Sequence, residues 1–520
     1  MNQATSGSVY KEQTIGALLG HLEKGWRAGH ADVVRDFVTR WRQKVAVSAE
    51  IAGIDDNLLY FTADMGDIRL NGTDDAHCLV LSGTDFSTSS SFAELWHKIN
   101  GAGRMIFVLA LSHESLQFAL SQVPKDRAVV LAPDMVAAIL ESEVPLEDLK
   151  RRIRGQLPIR RLVPFNIKNA VYGHMFSGRS RLLSRLRNED DVSFALAGPG
   201  RIGKTSLLRR YHRLLVRERD PRMHCTFVID CSTCMDRTAD GFARFVALKI
   251  DSSHGSANLT ADRLGNFFRY WRSHFNRPVA LLLDEVDEIF HPSILKGVSL
   301  AAKDQLCRLI LAGKGVLLRS MLDRDSPLAC RIDLLQMEPL RQEEATKLLV
   351  EPMRDLGFEI PESQKVLSGI RELSGNLPHS VQYFGSRLAD LLLTEESSRL
   401  FPRHVEQVRD SLEATSYFMS PFHDLTDPKE RILALAMLSS NGERMHLPKI
   451  RELVQGMGLA LEQQQVWDMC LGLTISNILA LDNGAFRVAN HGLSYYTSQT
   501  GFIDGALRDA RAALSKSQEK

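Results

Sequence analysis

The sequence has no apolar run long enough to cross a bilayer: the longest, such as Met105 to Leu111, fall far short of the roughly 20 residues a spanning helix needs. Its start, Met1 to Thr14, is polar and carries no basic-then-apolar leader, so the expected location is cytoplasmic and no membrane partner is expected. Cysteine is scarce. Seven cysteines scattered over 520 residues make no disulfide framework, and an odd number suits a reducing compartment. Cys231-x-x-Cys234, with His224 and Cys225 upstream, finds no second pair to complete a tetrahedral zinc site, which leaves small residues at the end of a buried strand. His113-Glu114 opens like a zinc-protease helix, but Gln117 stands where the second His is needed. Charge of one sign is missing too: 64 Lys plus Arg face 63 Asp plus Glu, so no global field draws the protein to nucleic acid or to an anionic membrane.

What is present is length and apolar content. At 520 residues and 44% apolar, the chain has material for three or four domains of about 100 to 200 residues each. Ile15, Leu18, Leu19, Leu22 and Trp26, then Val33, Val34, Phe37 and Trp41, recur at helical spacing and predict two amphipathic helices. Three apolar runs follow, His77 to Leu81, Met105 to Leu111 and Ala128 to Leu131, separated by helical stretches near Phe92 to Ile99 and Glu114 to Gln122. This alternation predicts a small parallel α/β layer, a Rossmann-like domain over residues 1–165. It has no Gly-rich loop, and Ser87 to Ser91 reads as a surface loop, so a sensor or docking role is expected of it. The basic segment Lys150 to Arg161, with Pro158 and Pro164, marks a charged hinge whose cations sit on a solvated helix face.

From Ser193 the chain reads SFALAGPGRIGKTSLLRRYHRLL: an apolar strand, a loop, then a helix with Leu207, Leu208, Tyr211, Leu214 and Leu215 on one face. The loop, Gly198, Pro199, Gly200, Arg201, Ile202, Gly203, Lys204 and Thr205, fits G-x-x-x-x-G-K-[ST] without a mismatch. Glycines there allow close backbone approach, so that successive amides can surround phosphate oxygens at the helix N-terminus, where Ser206 follows. Lys204 adds a charge toward the β- and γ-phosphates, and the Thr205 hydroxyl can ligate magnesium. VALLLDEVDEIF, Val279 to Phe290, is an apolar run ending in carboxylates, and a strand stopping there presents them at the ligand-binding edge of a sheet. Asp284 is then the Mg2+ ligand and Glu285 the general base, with Asp287 and Glu288 as helix-start acids. A strand, Cys225 to Asp230, separates the two motifs, and two more follow at Arg308 to Ala312 and Ile332 to Met337. No guanine-reading N-K-x-D string occurs, which points to ATP/ADP.

Met175-Phe176-Ser177-Gly178-Arg179 with Leu182-Leu183 resembles the F-x-G-R-x-x-E-L box of STAND-type and related AAA+ ATPases, although Ser180-Arg181 replaces part of its acidic stretch. Leu309 to Met321 resembles that family's fourth strand and sensor-one region. Arg331 to Leu349 resembles its fifth strand entering the lid, and Gly375-Asn376-Leu377-Pro378 its lid G-x-P motif. Helices near Pro428 to Leu438, Leu447 to Met457 and Ala460 to Leu471, then a hairpin turning at Asp482-Asn483-Gly484, fit a winged helix. Phe486 to Leu493 resembles the winged-helix His motif of NB-ARC-type proteins, with departures at its Met and Asp.

The resemblance implies an α/β fold: a P-loop NTPase core of the additional-strand, AAA+-like kind over 171–338, a helical lid over 339–420 and a C-terminal winged helix over 421–500. The small N-terminal α/β domain precedes them and a polar tail, 501–520, ends the chain. It also implies roles for Phe176 near the adenine, for Pro378 in the lid and for His491 at the bound ADP. Arg331 is the arginine-finger candidate, with Arg319 and Arg324 as alternatives. The expected function is an ATP-hydrolysing signalling switch that opens and self-associates on ATP binding and works through a protein partner. A DNA-associated AAA+ ATPase is the alternative, disfavoured because Ala460 to Leu471 holds Glu462 and Asp468 but no Lys or Arg. A nucleotide-binding adaptor with little hydrolysis is the third.

Overall fold

The computed structural model describes residues 31–46, 48–54, 58–64, 75–81, 90–100, 105–124, 128–165, 167, 175–218, 225–250, 259–275, 279–289, 292–323, 325–329, 331–440, 442–498 and 501–518. They form two units: Met1–Asn166 with Val171–Met175 and Arg354–Gly357, and Ile167–Ala170 with Phe176–Met353 and Phe358–Lys520.

In the first unit the order is α1 (Ala31–Val45), β1 (Ser48–Ile54), β2 (Leu58–Asp64), β3 (Asp75–Leu81), α2 (Ser90–Asn100), β4 (Met105–Ala110), α3 (His113–Gln122), β5 (Val129–Leu131), α4 (Pro133–Glu141), α5 (Pro145–Gln156) and α6 (Ile159–Leu162). Strand order in the sheet is β1-β2-β3-β4-β5. Only β3, β4 and β5 run parallel; β1 and β2 join antiparallel, so the expected parallel layer is a mixed sheet. The sequence hides this hairpin because β1 has small residues, Ala49, Ala52 and Gly53, and a bulge between Ile51 and Gly53 that breaks its alternation. Phe107 and Leu109 of β4 face one core with Trp41 and Phe61, while Ile106 and Val108 face another with Phe92 and Ala119. Burial on both faces explains the unbroken apolar runs. The first amphipathic helix expected, Ile15 to Trp26, lies outside the described residues. Of the expected loop Ser87 to Ser91, Ser87 to Ser89 lie outside the described residues, and Ser90 and Ser91 open α2 instead. The basic segment is helical with its cations on a solvated face, as expected: Leu149, Ile153 and Leu157 are buried while Arg151, Arg154 and Arg160 are exposed.

The second unit begins with α7 (Ser180–Asn188), β6 (Phe194–Ala197), α8 (Lys204–Glu218), β7 (Cys225–Asp230), α9 (Ala239–Ile250), α10 (Leu264–Phe275), β8 (Val279–Asp284), α11 (Pro292–Lys303), β9 (Cys307–Gly313), α12 (Gly315–Leu322) and β10 (Asp333–Gln336). Its five strands are all parallel, in the order β10-β6-β9-β8-β7. Every residue of β6, β8 and β9 is buried, as a sheet covered by helices requires. The strand that lies between the two motif strands is β9; β7, which separates them in sequence, is the sheet edge.

Helices α13 (Gln342–Asp355), α14 (Ser363–Ser374), α15 (Pro378–Thr394), α16 (Pro402–Arg409) and α17 (Leu412–His423) follow. Then come α18 (Pro428–Leu438), α19 (Leu447–Gly456), α20 (Gln463–Ile475), the hairpin β11 (Leu479–Asp482) and β12 (Ala485–Val488), α21 (His491–Thr497) and α22 (Phe502–Gln518). Asn483 and Gly484, at φ 48° and 77°, make the two-residue turn of the hairpin. Helix α20 starts later than the apolar pattern suggests, because Glu462 caps it reciprocally with Gln465. The expected polar tail is a helix as well: Ala510 is buried, and Phe502 meets Phe422 edge-on at 5.7 Å. Among the described residues, no helix is long and apolar enough to cross a membrane.

Candidate functional site

Strand β6 ends at Ala197, and the loop 198–203 carries the chain to the first turn of α8. A Cβ on Gly198 would stand 3.2 Å from the Cβ of Met337 and 3.3 Å from its carbonyl oxygen, so glycine lets the loop pass the end of β10. Gly203 has φ 101°, which favours glycine, and Arg201 is left-handed at φ 64°. Lys204 is buried at 6% exposure, and its Nζ donates to the carbonyls of Gly198 and Pro199, each at 2.8 Å. Burial pushes its ammonium down to about 8 against the pull of the Glu285 carboxylate.

The Thr205 hydroxyl lies beside the Asp284 carboxylate, which accepts from the Glu285 amide at 3.1 Å. Asp284 is buried, and that burial raises its carboxyl above the ordinary range. Glu285 follows at φ 51°, a left-handed turn that swings its side chain away from the strand direction. Its carboxylate meets Lys314 Nζ at 3.0 Å. Sequence reasoning missed Lys314: the pair forms because β9 lies beside β8, and the only local signal is a cation directly after an apolar strand. Asp287 and Glu288 stand in the first turn of the short 3-10 helix Val286–Ile289, as expected, and Asp287 also reaches across to a neighbour. Its carboxylate accepts from the amides of Lys314 at 2.5 Å, Val316 at 2.8 Å and Leu317 at 3.2 Å, capping α12 and fixing where Lys314 starts.

Phe176 packs on the cluster of Leu196, Ile202, Leu207 and Leu377. Arg179 donates to the Ile202 carbonyl at 3.2 Å, and Ser177 Oγ donates to the Glu344 carbonyl at 2.7 Å, which ties this segment to the phosphate loop and to α13. Gly375 ends α14 at φ 53°, and Pro378 opens α15. A Cβ on Gly375 would come within 2.9 Å of His491 Cδ2, so the His491 ring lies on that glycine. Burial, with Arg487 adding, holds the His491 imidazole below its usual value. Phe176 is thus packed beside the loop, His491 lies on Gly375, three residues before Pro378, and Ser206 is buried in the first turn of α8.

Arg331 is not part of it. It precedes β10 at the N-terminal edge of the sheet, opposite the phosphate loop, where its guanidinium donates to Ser299 Oγ at 2.8 Å and to the Pro327 carbonyl at 3.3 Å. Arg319 approaches Asp468 of α20 at 3.8 Å, and Arg324 lies outside the described residues. Ile475 of α20 packs on Gly315 so closely that a Cβ there would collide, and Gln336 Nε2 donates to the Leu481 carbonyl at 2.9 Å.

Oxygen donors from Thr205 and Asp284, beside a loop of amides and a lysine, fit a magnesium-bound phosphate tail, since Mg2+ takes one or two carboxylates plus phosphate oxygens and water. Among the described residues no cluster of three or more His, Cys, Asp or Glu suggests another metal.

No curated protein matches the chain. The structure is similar to the Walker-type ATPase of Pyrococcus abyssi, at 16% identity and TM-score 0.49 over 64% of this chain and 99% of that one. It is similar to the Aeropyrum pernix ORC2 protein in its ADPNP-ADP complexes, at 15% identity and TM-score 0.42 over 64% and 92%. It is also similar to Thermotoga maritima RuvB, at 16% identity and TM-score 0.35 over 62% and 96%. Residues 187–322, from the end of α7 to the end of α12, match the AAA domain, so this α/β chain carries an AAA-type P-loop ATPase core.

Proposed function

We propose that the protein is a magnesium-dependent ATPase that uses the nucleotide as a conformational switch. The observation that supports this best is the meeting of Lys204, Thr205, Asp284 and Glu285 at the C-terminal edge of β6 and β8. Lys204 leaves the loop carbonyls for the β- and γ-phosphates, and Thr205 and Asp284 are the residues that would hold Mg2+, whose chemistry there would be neutralisation of phosphate charge. Glu285, once released by Lys314, orients the attacking water and takes its proton. Phe176 covers the base and His491 approaches from the winged helix, so both nucleotide ends touch parts that move between an ADP-closed and an ATP-open form.

In an assembly of copies, Arg331 would leave Ser299 and the Pro327 carbonyl to serve a neighbour's γ-phosphate, and a protein partner receives the signal. For the alternative, a DNA-associated AAA+ ATPase of the origin-recognition or transposition kind, α20 is the obstacle: it has neither Lys nor Arg and is engaged by α12 through Ile475 and Asp468. The adaptor reading, with nucleotide bound and barely hydrolysed, is opposed by Glu285.

The test is ATP hydrolysis by the full chain beside Glu285→Gln, with and without duplex DNA, while mass is followed by light scattering. Hydrolysis lost in the variant, with ATP-driven assembly independent of DNA, supports the switch. DNA-stimulated turnover promotes the alternative, and tight binding without turnover in either protein leaves the adaptor.

A further inference from the structure

A cavity of about 220 Å³ separates the crown of the phosphate loop from the helices above it, lined by Gly200, Arg201, Leu377, His379, Tyr417 and Asn477 among others. One wall is a chain of polar groups. His379, in the first turn of α15, has its Nε2 2.7 Å from the carbonyl oxygen of Ile167 and its Nδ1 on the hydroxyl of Tyr417 in α17. Tyr417 is held flat: its ring stacks on Tyr383 at 4.1 Å and on His379 at 5.5 Å, and Phe418 meets it edge-on at 4.8 Å. Ser380 Oγ is 3.5 Å from the same hydroxyl, and the Arg201 guanidinium lies beside it, on the same cavity.

The direction of every bond in this chain is determined. A carbonyl oxygen only accepts, so Nε2 of His379 carries the proton toward Ile167. Burial pushes the imidazole down to about 4, so the ring is neutral and its Nδ1 is an acceptor. Tyr417 must therefore donate to Nδ1, which leaves its oxygen lone pairs for Arg201. The order is Arg201 to Tyr417 to His379 to Ile167. The Arg201 cation beside the phenol polarises the Tyr417 bond, and that bond polarises the next, so the cation at the head strengthens the bond at the tail.

Both ends of the chain have significance. Arg201 is the exposed residue at the crown of the phosphate loop, in a left-handed conformation, and Ile167 stands where the chain passes from the first unit to the second. We propose that Arg201 reads the phosphate tail of the nucleotide and that Tyr417 and His379 pass the reading to the connector at Ile167, which is pinned more tightly when the loop is empty than when a nucleoside triphosphate fills it. The inference rests on the nucleotide-binding reading. Its driving force is the difference in partners. A neutral phenol offers Arg201 one hydrogen bond, whereas a multiply charged phosphate tail offers charge-assisted, bidentate ones. Nucleotide and connector then compete for one guanidinium, and by linkage each weakens the other by the same factor.

The experiment uses the full chain, trypsin and a fluorescent ATP analogue. Trypsin cuts after Lys168, the residue that follows the pinned carbonyl. In the wild type, saturating analogue with Mg2+ is expected to speed cleavage after Lys168 by at least about threefold, within the usual 5- to 150-fold range of couplings or just below it. Tyr417→Phe retains the stacked ring but deletes the central donor. It is expected to be cleaved at the fast rate without nucleotide, to lose the nucleotide dependence, and to bind the analogue more tightly by a similar factor. Arg201→Ala is expected to be cleaved fast as well, with weaker binding. Matching melting curves confirm that the variants fold. If Tyr417→Phe binds the analogue and still shows the wild-type cleavage pattern, the relay is overturned while the nucleotide reading stands. If the wild type binds no analogue, the nucleotide reading fails and the relay with it.

Discussion

The described residues form two five-stranded sheets covered by helices, and they differ in what stands at the ends of their strands. In the first unit, β4 runs into Ser112, whose hydroxyl accepts the Ser115 amide at 3.1 Å while Ser115 Oγ accepts the Ser112 amide at 3.0 Å. Polar groups there start α3 and are satisfied in doing so. β5 runs into Ala132 and Pro133, which open α4. In the second unit, β6 runs into the glycine loop, β8 into Asp284-Glu285 and β9 into Lys314, and these side chains converge on one another. Lys204 and Asp284 are buried with their charged forms disfavoured, which no stability argument recommends. A polar group that completes a cap belongs to the fold; one kept in an unfavourable state marks a site awaiting a ligand.

Breaking the second sheet's edge should show the largest effects. Glu285→Gln retains shape and removes the base, so hydrolysis should fall by about 10² to 10⁴ while ATP binding changes little, measured by phosphate release and fluorescent-nucleotide titration. Lys204→Met should weaken ATP binding by about 100-fold or more, the loss of one charge-assisted, buried phosphate contact. The same substitution should not lower the melting temperature of the nucleotide-free protein, because it deletes a buried ammonium that folding disfavours. A clear fall in melting temperature would place Lys204 with the structural caps of the first sheet and undo the contrast.

The contrast was only partly legible in the sequence. The glycine loop between a strand and a helix could be read because each position demands a particular residue type, and the run Val279 to Asp284 because a strand buried on both faces is apolar throughout. The Lys314 pair with Glu285, and the capping of α12 by Asp287, could not, since both depend on which strands become neighbours. The β1–β2 hairpin was lost for a local reason, small residues and a bulge, and the docking of α22 because its polar composition conceals how few contacts, Ala510 and Phe502, hold a helix in place.

A smaller effect follows from the Lys204 ammonium, depressed to about 8. The folded pKa lies below that of an exposed lysine, so the unfolded chain binds more protons between these values. This group therefore destabilises the fold below about pH 8, and the penalty fades as pH rises through the window. Phosphate needs the charged form, so ATP binding takes up a proton above about pH 8 and affinity should drop by up to about tenfold per pH unit there. Titrations at several pH values test this, with Lys204→Met as the control that should show no such slope.

The smallest effect should come from the first sheet. Ser112→Ala removes both partners' reason for their geometry: the Ser115 amide loses its acceptor, and the reciprocal bond from Ser115 loses its companion. A lost cap of this kind typically costs about 1 kcal/mol. Denaturant unfolding of the full chain should register it as an earlier transition, with ATP affinity and turnover unchanged. Ser112 follows a parallel strand much as Gly198 and Glu285 closely follow theirs, so the substitution probes the equivalent edge of the other sheet. A change in nucleotide binding here would mean that the first sheet's edge also serves the site, and that its satisfied caps have a second use.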